Sequence, residues 1–243
     1  MSVTITPLTM GGFESLSTHT RRCVFWEMDP ELIPANPGGG EFDSEFDKEA
    51  WVSMMLLEWG TCGQLAINTH TGKVVGAAFY GPPRSVPRSL MFPTSPVSAD
   101  AVILTSLWVD PGFDGAADEL ATAVVGDLTR RGVRAIESFG IVRSAHTTSA
   151  EEPDQESICP HCMIDAHFLK GAGFDVVSAH HRYPRLRLEL DDDLGWKAGV
   201  ESALEKLVVM AAIDVAGRER TAVPVGQKTW VGQKTRLRRR AGQ

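Results

Sequence analysis

Two thiols three residues apart, in Cys159-Pro160-His161-Cys162, form the densest group of reactive side chains in the sequence. That spacing lets two sulfurs grip one zinc ion, and His161 or His167 could add a nitrogen ligand. Structural zinc takes four ligands, however, and the sequence has no second Cys-x-x-Cys pair. The same spacing at a helix start serves dithiol redox proteins, where the helix N-terminus lowers a thiol pKa. The order of the surrounding elements is not thioredoxin-like. The expectation is a pair of plain buried thiols, with no metal and with zinc at Cys159/Cys162 the lesser alternative.

The second chemical group is the basic C-terminus. Between Arg218 and Gln243 there are eight basic residues and one acid, Glu219, so this tail carries +7 of a chain whose net charge is -7. The body is therefore strongly acidic. Phosphate neutralisation needs basic surface, so general nucleic-acid binding by the body is not expected. The tail, through Arg236 and Arg238 to Arg240, allows at most weak, salt-sensitive contact with nucleic acid or an acidic partner.

The chain's 243 residues, 43% hydrophobic and 23% charged, suit one large domain or a medium domain with appendages. No window reaches the ~18–20 apolar residues of a membrane span, and no membrane partner is expected. The first nine residues lack the basic and apolar regions of a signal or transit peptide, so the expected location is the cytoplasm, with its four cysteines reduced.

The elements that must position these groups follow from periodicity and breakers. A first strand is expected at 4–8 and a helix at 12–27, with Phe13, Leu16, Cys23 and Trp26 inward. A Pro/Gly loop follows at 30–40, then a helix at 47–59 carrying Trp51, Met54, Met55 and Leu57. Residues 62–68 and 73–80 read as a hairpin, and 101–109 as a strand stopped by Asp110-Pro111-Gly112. A helix at 116–131 has Leu120, Val124 and Leu128 on one face, acids in its first turn, bases in its last, and Gly132 as its stop. Next come a strand at 134–139, a polar loop at 142–156, a helix from Pro160 to Ala172, and strands at 173–177 and 185–190. A helix at 191–216 and a disordered tail at 217–243 complete the chain. This order is α+β with a mixed sheet.

Val109-Asp-Pro-Gly-Phe113, ahead of Gly115-Ala116-Ala117 and a helix ending Arg-Arg-Gly-Val, resembles the acetyl-CoA region of GNAT-family N-acetyltransferases. Phe168-Leu-Lys-Gly-Ala-Gly-Phe174 is similar to the same family's later helix, and the likeness in element order covers residues 1 to 190. The resemblance implies a mixed, mainly antiparallel twisted sheet flanked by helices, with acetyl-CoA as cosubstrate. It also implies that the CoA pyrophosphate meets Gly115, Ala116, Ala117 and Asp118, where a helix start offers backbone N–H groups and a positive dipole end. Leu107, Trp108 and Val109 would pair with the pantetheine amides, and Phe168 would flank the thioester arm. Two positions depart from the pattern. The loop is about two residues short, so the usual Arg/Gln position is either missing or occupied by Asp114. Leu169 stands where many members place a Tyr that protonates the departing thiolate.

Acetylating an amine requires removal of an ammonium proton before attack on the thioester. Glu137, on the strand after the 116–131 helix, is the candidate base; Tyr80 and His167 are candidates for acid or relay. Their plain alternatives are a solvated strand residue, a packed ring and a surface imidazole. The implied function is transfer of an acetyl group from acetyl-CoA to a primary amine by direct attack, in a monomer or homodimer. The alternative is a catalytically weak or inactive CoA-binding or protein-interaction module of the same fold.

Overall fold

The computed structural model describes residues 2–33, 44–143 and 158–190. All of these lie in the first of the two units into which the chain divides, Met1–Asp192. The helix expected at 191–216 and the tail at 217–243 lie outside the described residues, as do most of the 30–40 and 142–156 loops.

The chain runs β1 (Val3–Pro7), α1 (Met10–Phe13), α2 (Thr18–Arg22), α3 (Ser44–Glu58), β2 (Gly63–Asn68), β3 (Val74–Gly81), β4 (Ala101–Val109) and α4 (Ala116–Arg130). It continues through β5 (Ala135–Ile141), β6 (Ile164–Asp165), α5 (Ala166–Gly171), β7 (Asp175–Ser178) and β8 (Arg185–Glu189). The strands form one sheet in the order β1-β2-β3-β4-β5-β8-β7, with β6 paired to β5. Only β4/β5 and β5/β6 are parallel. The fold is thus α+β with the mixed sheet that the element order implies, mainly antiparallel and flanked by helices as the family resemblance implies.

Alternation along the strands places the helices on two faces. Tyr80, Val102, Leu104 and Ile136 pack with Leu120, Val124 and Leu128 of α4 and Leu169 of α5. The opposite face carries Phe79 and Leu65 under Trp51, Val52 and Met55 of α3. Further along that face, Trp26, Phe92 and Phe139 stack, with Phe92 and Phe139 centroids 4.5 Å apart. The apolar i, i+4, i+8 row of α4 is buried as its spacing requires. The helix stops at Gly132, whose φ of +69° favours glycine, while the Val133 N–H returns to the Leu128 carbonyl.

Two elements differ from their sequence reading. The single helix expected at 12–27 is two short ones, because Ser17 is extended and its hydroxyl accepts the Thr20 N–H, starting a new helix. The helix expected from Pro160 begins only at Ala166, where the Asp165 carboxylate accepts the His167 N–H at 2.7 Å. Cys159–Cys162 is instead a turn closed by Cys162 N–H to Cys159 carbonyl, at 3.1 Å.

β4 and β5 pair only from Ala101/Ala135 to Ile103/Glu137. Beyond that, β4 stays with β3 as far as Val109, while Gly140 and Ile141 of β5 turn to Ile164 and Asp165 of β6. A register shift opposite Phe79/Tyr80 leaves Thr105 as an extra residue in β4, its hydroxyl donating to the Phe79 carbonyl at 3.0 Å. Such a bulge re-aims the side chains that follow it, here Ser106 and Trp108.

Candidate active site

A cavity of about 310 Å³ lies on the α2/α3 face over the second half of β4, large enough for a small ligand. Its wall includes Ser106, Trp108 and Val109 from β4, Cys23, Trp26 and Glu27 from the segment after α2, and Lys48 from α3. Glu27 is the unusual residue. Its side chain is 2% exposed, and one carboxylate oxygen is held by the Lys48 ammonium, itself 5% exposed. The other oxygen, Oε2, is buried without a hydrogen-bond partner, as is Trp108 Nε1 on the same wall. A buried polar atom without a partner carries a desolvation cost that a bound ligand can relieve. The pair sits among aromatic rings, with Lys48 Nζ 4.8 Å from the Phe79 centroid and 5.7 Å from that of Trp51. This low-polarity setting keeps the charges tightly coupled.

The residues named from the sequence fall in several places. Tyr80 faces α4, on the other side of the sheet from the cavity. Its hydroxyl donates to Asp127 at 2.8 Å and accepts from Gln64 Nε2 at 2.9 Å. Burial first, and then the Asp127 hydrogen bond, push its pKa well above the ordinary phenol value. Glu137 is fully buried and ion-paired to Arg185 and Arg187, with the Ser98 N–H as a further donor. Burial raises its pKa, but the bonds from Ser98, Arg185 and Arg187 together outweigh it and hold the carboxyl below the usual range. His167 is exposed on the first turn of α5. The structure does not bring these three together, and neither the cavity described above nor the smaller one at the α4 N-terminus has any of them in its wall.

Of the residues expected to hold acetyl-CoA, Trp108 and Val109 line the cavity beside Glu27, and Gly115 and Ala116 another of about 180 Å³. Leu107 and Phe168 are half-buried against the α4-side core. At the α4 N-terminus, Gly115 caps without a side-chain bond, and a Cβ there would meet nothing within 4 Å. The Ala116 and Ala117 amides are engaged by the Phe113 and Asp114 carbonyls, at 2.7 and 3.2 Å. Asp114, Asp118 and Glu119 are exposed around them, and no Lys or Arg is among the residues lining the smaller cavity. The open approach at Gly115 fits a bulky cosubstrate, whereas the acids do not favour its phosphates. Of the arginines in neighbouring loops, Arg88 is buried over the Phe25 ring and Arg143 bonds the Pro160 carbonyl.

Sequence reasoning missed Glu27 and Lys48. They are 21 residues apart and the carboxylate lies in an irregular segment, so no periodicity marks them.

Solved structures similar to this chain are those of N-acetyltransferases, GNAT-family members among them. They include an N-acetyltransferase from Staphylococcus aureus, 12% identical with a TM-score of 0.46, covering 79% of this chain and 100% of that one. Another is an N-acetyltransferase from Thermoplasma acidophilum in complex with coenzyme A, 13% identical, TM-score 0.46, covering 78% and 99%. A putative acetyltransferase from Salmonella typhimurium with acetyl-CoA is 15% identical, TM-score 0.46, covering 79% and 96%. No family model and no curated protein matches the chain. At these identities and TM-scores the functional reading rests on the chain's own residues.

Proposed function

We propose that residues 1–190 form a GNAT-type N-acetyltransferase domain that moves the acetyl group of acetyl-CoA to a primary amine by direct attack. The observation that carries this reading is Glu27: a buried carboxylate with one oxygen fixed by Lys48 and the other unpartnered on the wall of a ligand-sized cavity. That cavity is lined by Trp108 and Val109 at the end of β4, the strand edge the family resemblance gives to the pantetheine amides.

The acceptor arrives as an ammonium ion. The free oxygen of Glu27 binds it, while Lys48 holds the other carboxylate oxygen in place. After the ammonium loses a proton to water, the amine nitrogen forms the new C–N bond as the C–S bond breaks, and the nitrogen then sheds a second proton. The thiolate takes a proton, and one proton is released overall. Leu169, fully buried in the α4-side core, supplies no acid, so water protonates the thiolate, a fair leaving group with an ordinary thiol pKa near ~8.5. In this reading Glu27 rather than Glu137 is the carboxylate that meets the substrate, Tyr80 and Glu137 stabilise the domain, and His167 stands outside the site. The protein acts in the cytoplasm.

The acid-rimmed α4 N-terminus favours a second reading, a module that no longer transfers acetyl groups. Calorimetric titration of acetyl-CoA into the full chain, followed by a screen of primary amines, separates the two. Micromolar binding, lost in Gly115→Glu, with turnover lost in Glu27→Gln, supports the enzyme. No binding up to millimolar acetyl-CoA refutes it. Because a side chain at 115 enters open space, Gly115→Glu should fold normally and report on charge repulsion alone.

A further inference from the structure

The two thiols of the Cys159–Cys162 turn have company in three dimensions. His19 of α2, Cys23 at its C-cap, and Cys159 and Cys162 of the turn before β6 bring one nitrogen and three sulfurs within 4.8 Å of one another. Individual edges are 3.3 Å for Cys23 Sγ to Cys162 Sγ, 3.4 Å for His19 Nε2 to Cys162 Sγ, and 3.5 Å for His19 Nε2 to Cys159 Sγ. Zinc bonds of ~2.3 Å to sulfur and ~2.0–2.1 Å to nitrogen give a tetrahedron with edges of about 3.5–3.8 Å. A disulfide would need sulfurs ~2.05 Å apart, and all four cysteines are free. Thiol–thiol hydrogen bonds are weak, so they are a poor reason for four soft donors from two segments about 140 residues apart to converge. The outer partners also fit. Backbone N–H groups of Phe25 and His161 hydrogen-bond the sulfurs of Cys23 and Cys159, and Trp26 Nε1 donates to the Cys162 carbonyl at 3.0 Å. Such bonds orient ligands around a metal.

We infer that His19, Cys23, Cys159 and Cys162 form a closed structural zinc site that staples α2 to the turn before β6. Four protein ligands of this kind leave no open position for catalysis. Neither His161 nor His167 is a ligand: His161 packs its ring on His19, with centroids 5.3 Å apart, and His167 lies on α5 outside the cluster. The site lies at the wall of the Glu27 cavity, which His19, Cys23 and Cys162 help to line. Both segments that it joins lead directly into functional structure, Cys23 toward Trp26 and Glu27, and Cys162 toward β6 beside the diverging strands. The inference does not depend on the acetyltransferase reading, because its readout is metal.

The full chain, purified under reducing conditions without chelator, should contain close to one zinc ion by mass spectrometry of metals. Cobalt(II) in its place should give the intense visible absorption of a tetrahedral thiolate site. His19→Ala and Cys162→Ser should each lower zinc affinity at least about tenfold, whereas His167→Ala should leave it unchanged. If a variant fails to fold, cobalt spectra of the unaltered chain decide the matter. Substoichiometric zinc that added zinc(II) does not raise, an octahedral cobalt spectrum, or full zinc retention in folded His19→Ala/Cys162→Ser would each overturn the assignment.

Discussion

Removing the Glu27 charge tests the buried pair and the chemistry at once. In Glu27→Gln the Lys48 ammonium, 5% exposed, loses the group that offsets its desolvation. Breaking a buried ion pair from one side costs about 3–5 kcal/mol. For a domain of this size each kcal/mol lowers Tm by about 2–4 °C, so the expected drop is roughly 6–20 °C. Lys48→Met keeps the stem against Phe79 and Trp51 but strands the carboxylate, with a loss of the same order. The double variant buries no charge and leaves only an amide short of partners, about 1–3 kcal/mol. The single losses should therefore far exceed the double loss, giving a coupling of several kcal/mol in a denaturation cycle. The stability-restored double variant should still bind acetyl-CoA yet fail to acetylate amines, separating chemistry from folding. Losses that add to within about 0.5 kcal/mol would refute the coupled pair, and an active double variant would refute the role of Glu27.

Two further outcomes concern the groups that hold the sheet. The Glu137 carboxyl, held below its ordinary value of 4.5, contributes stability that is present above about pH 4.5 and is lost as pH falls through its folded value. Glu137→Gln should thus cost about 3–5 kcal/mol at neutral pH, with the gap to the unaltered chain closing on acidification in urea titrations. Tyr80→Phe leaves Gln64 and Asp127 each short of a partner and should cost about 1–3 kcal/mol. Since the folded phenol titrates above its ordinary 10.0, that contribution is full below about pH 10 and lost as pH rises through the folded value. Denaturation midpoints of the two proteins should converge in strong alkali.

What could be read along the chain was whatever repeats at short range. The strand at 101–109, the Leu120/Val124/Leu128 row and the Gly132 stop are local patterns, since a helix face or a strand edge is set by neighbours two to four residues away. Caps that depend on one side chain, at Ser17 and Asp165, moved the boundaries of α2 and α5. His19 and Cys23 stand four residues apart, a spacing compatible with two ligands at one helix end, but nothing local ties them to Cys159 and Cys162. Glu27 and Lys48 gave no such signal. A carboxylate is a surface residue until tertiary packing removes its water, and only the closing of α3 over the segment after α2 does so here. Local pattern was enough for the strands from β2 to β5 and for α3 and α4 in their order. Which polar groups were buried, paired or left unpartnered was decided by folding, because desolvation depends on contacts between segments far apart in the chain.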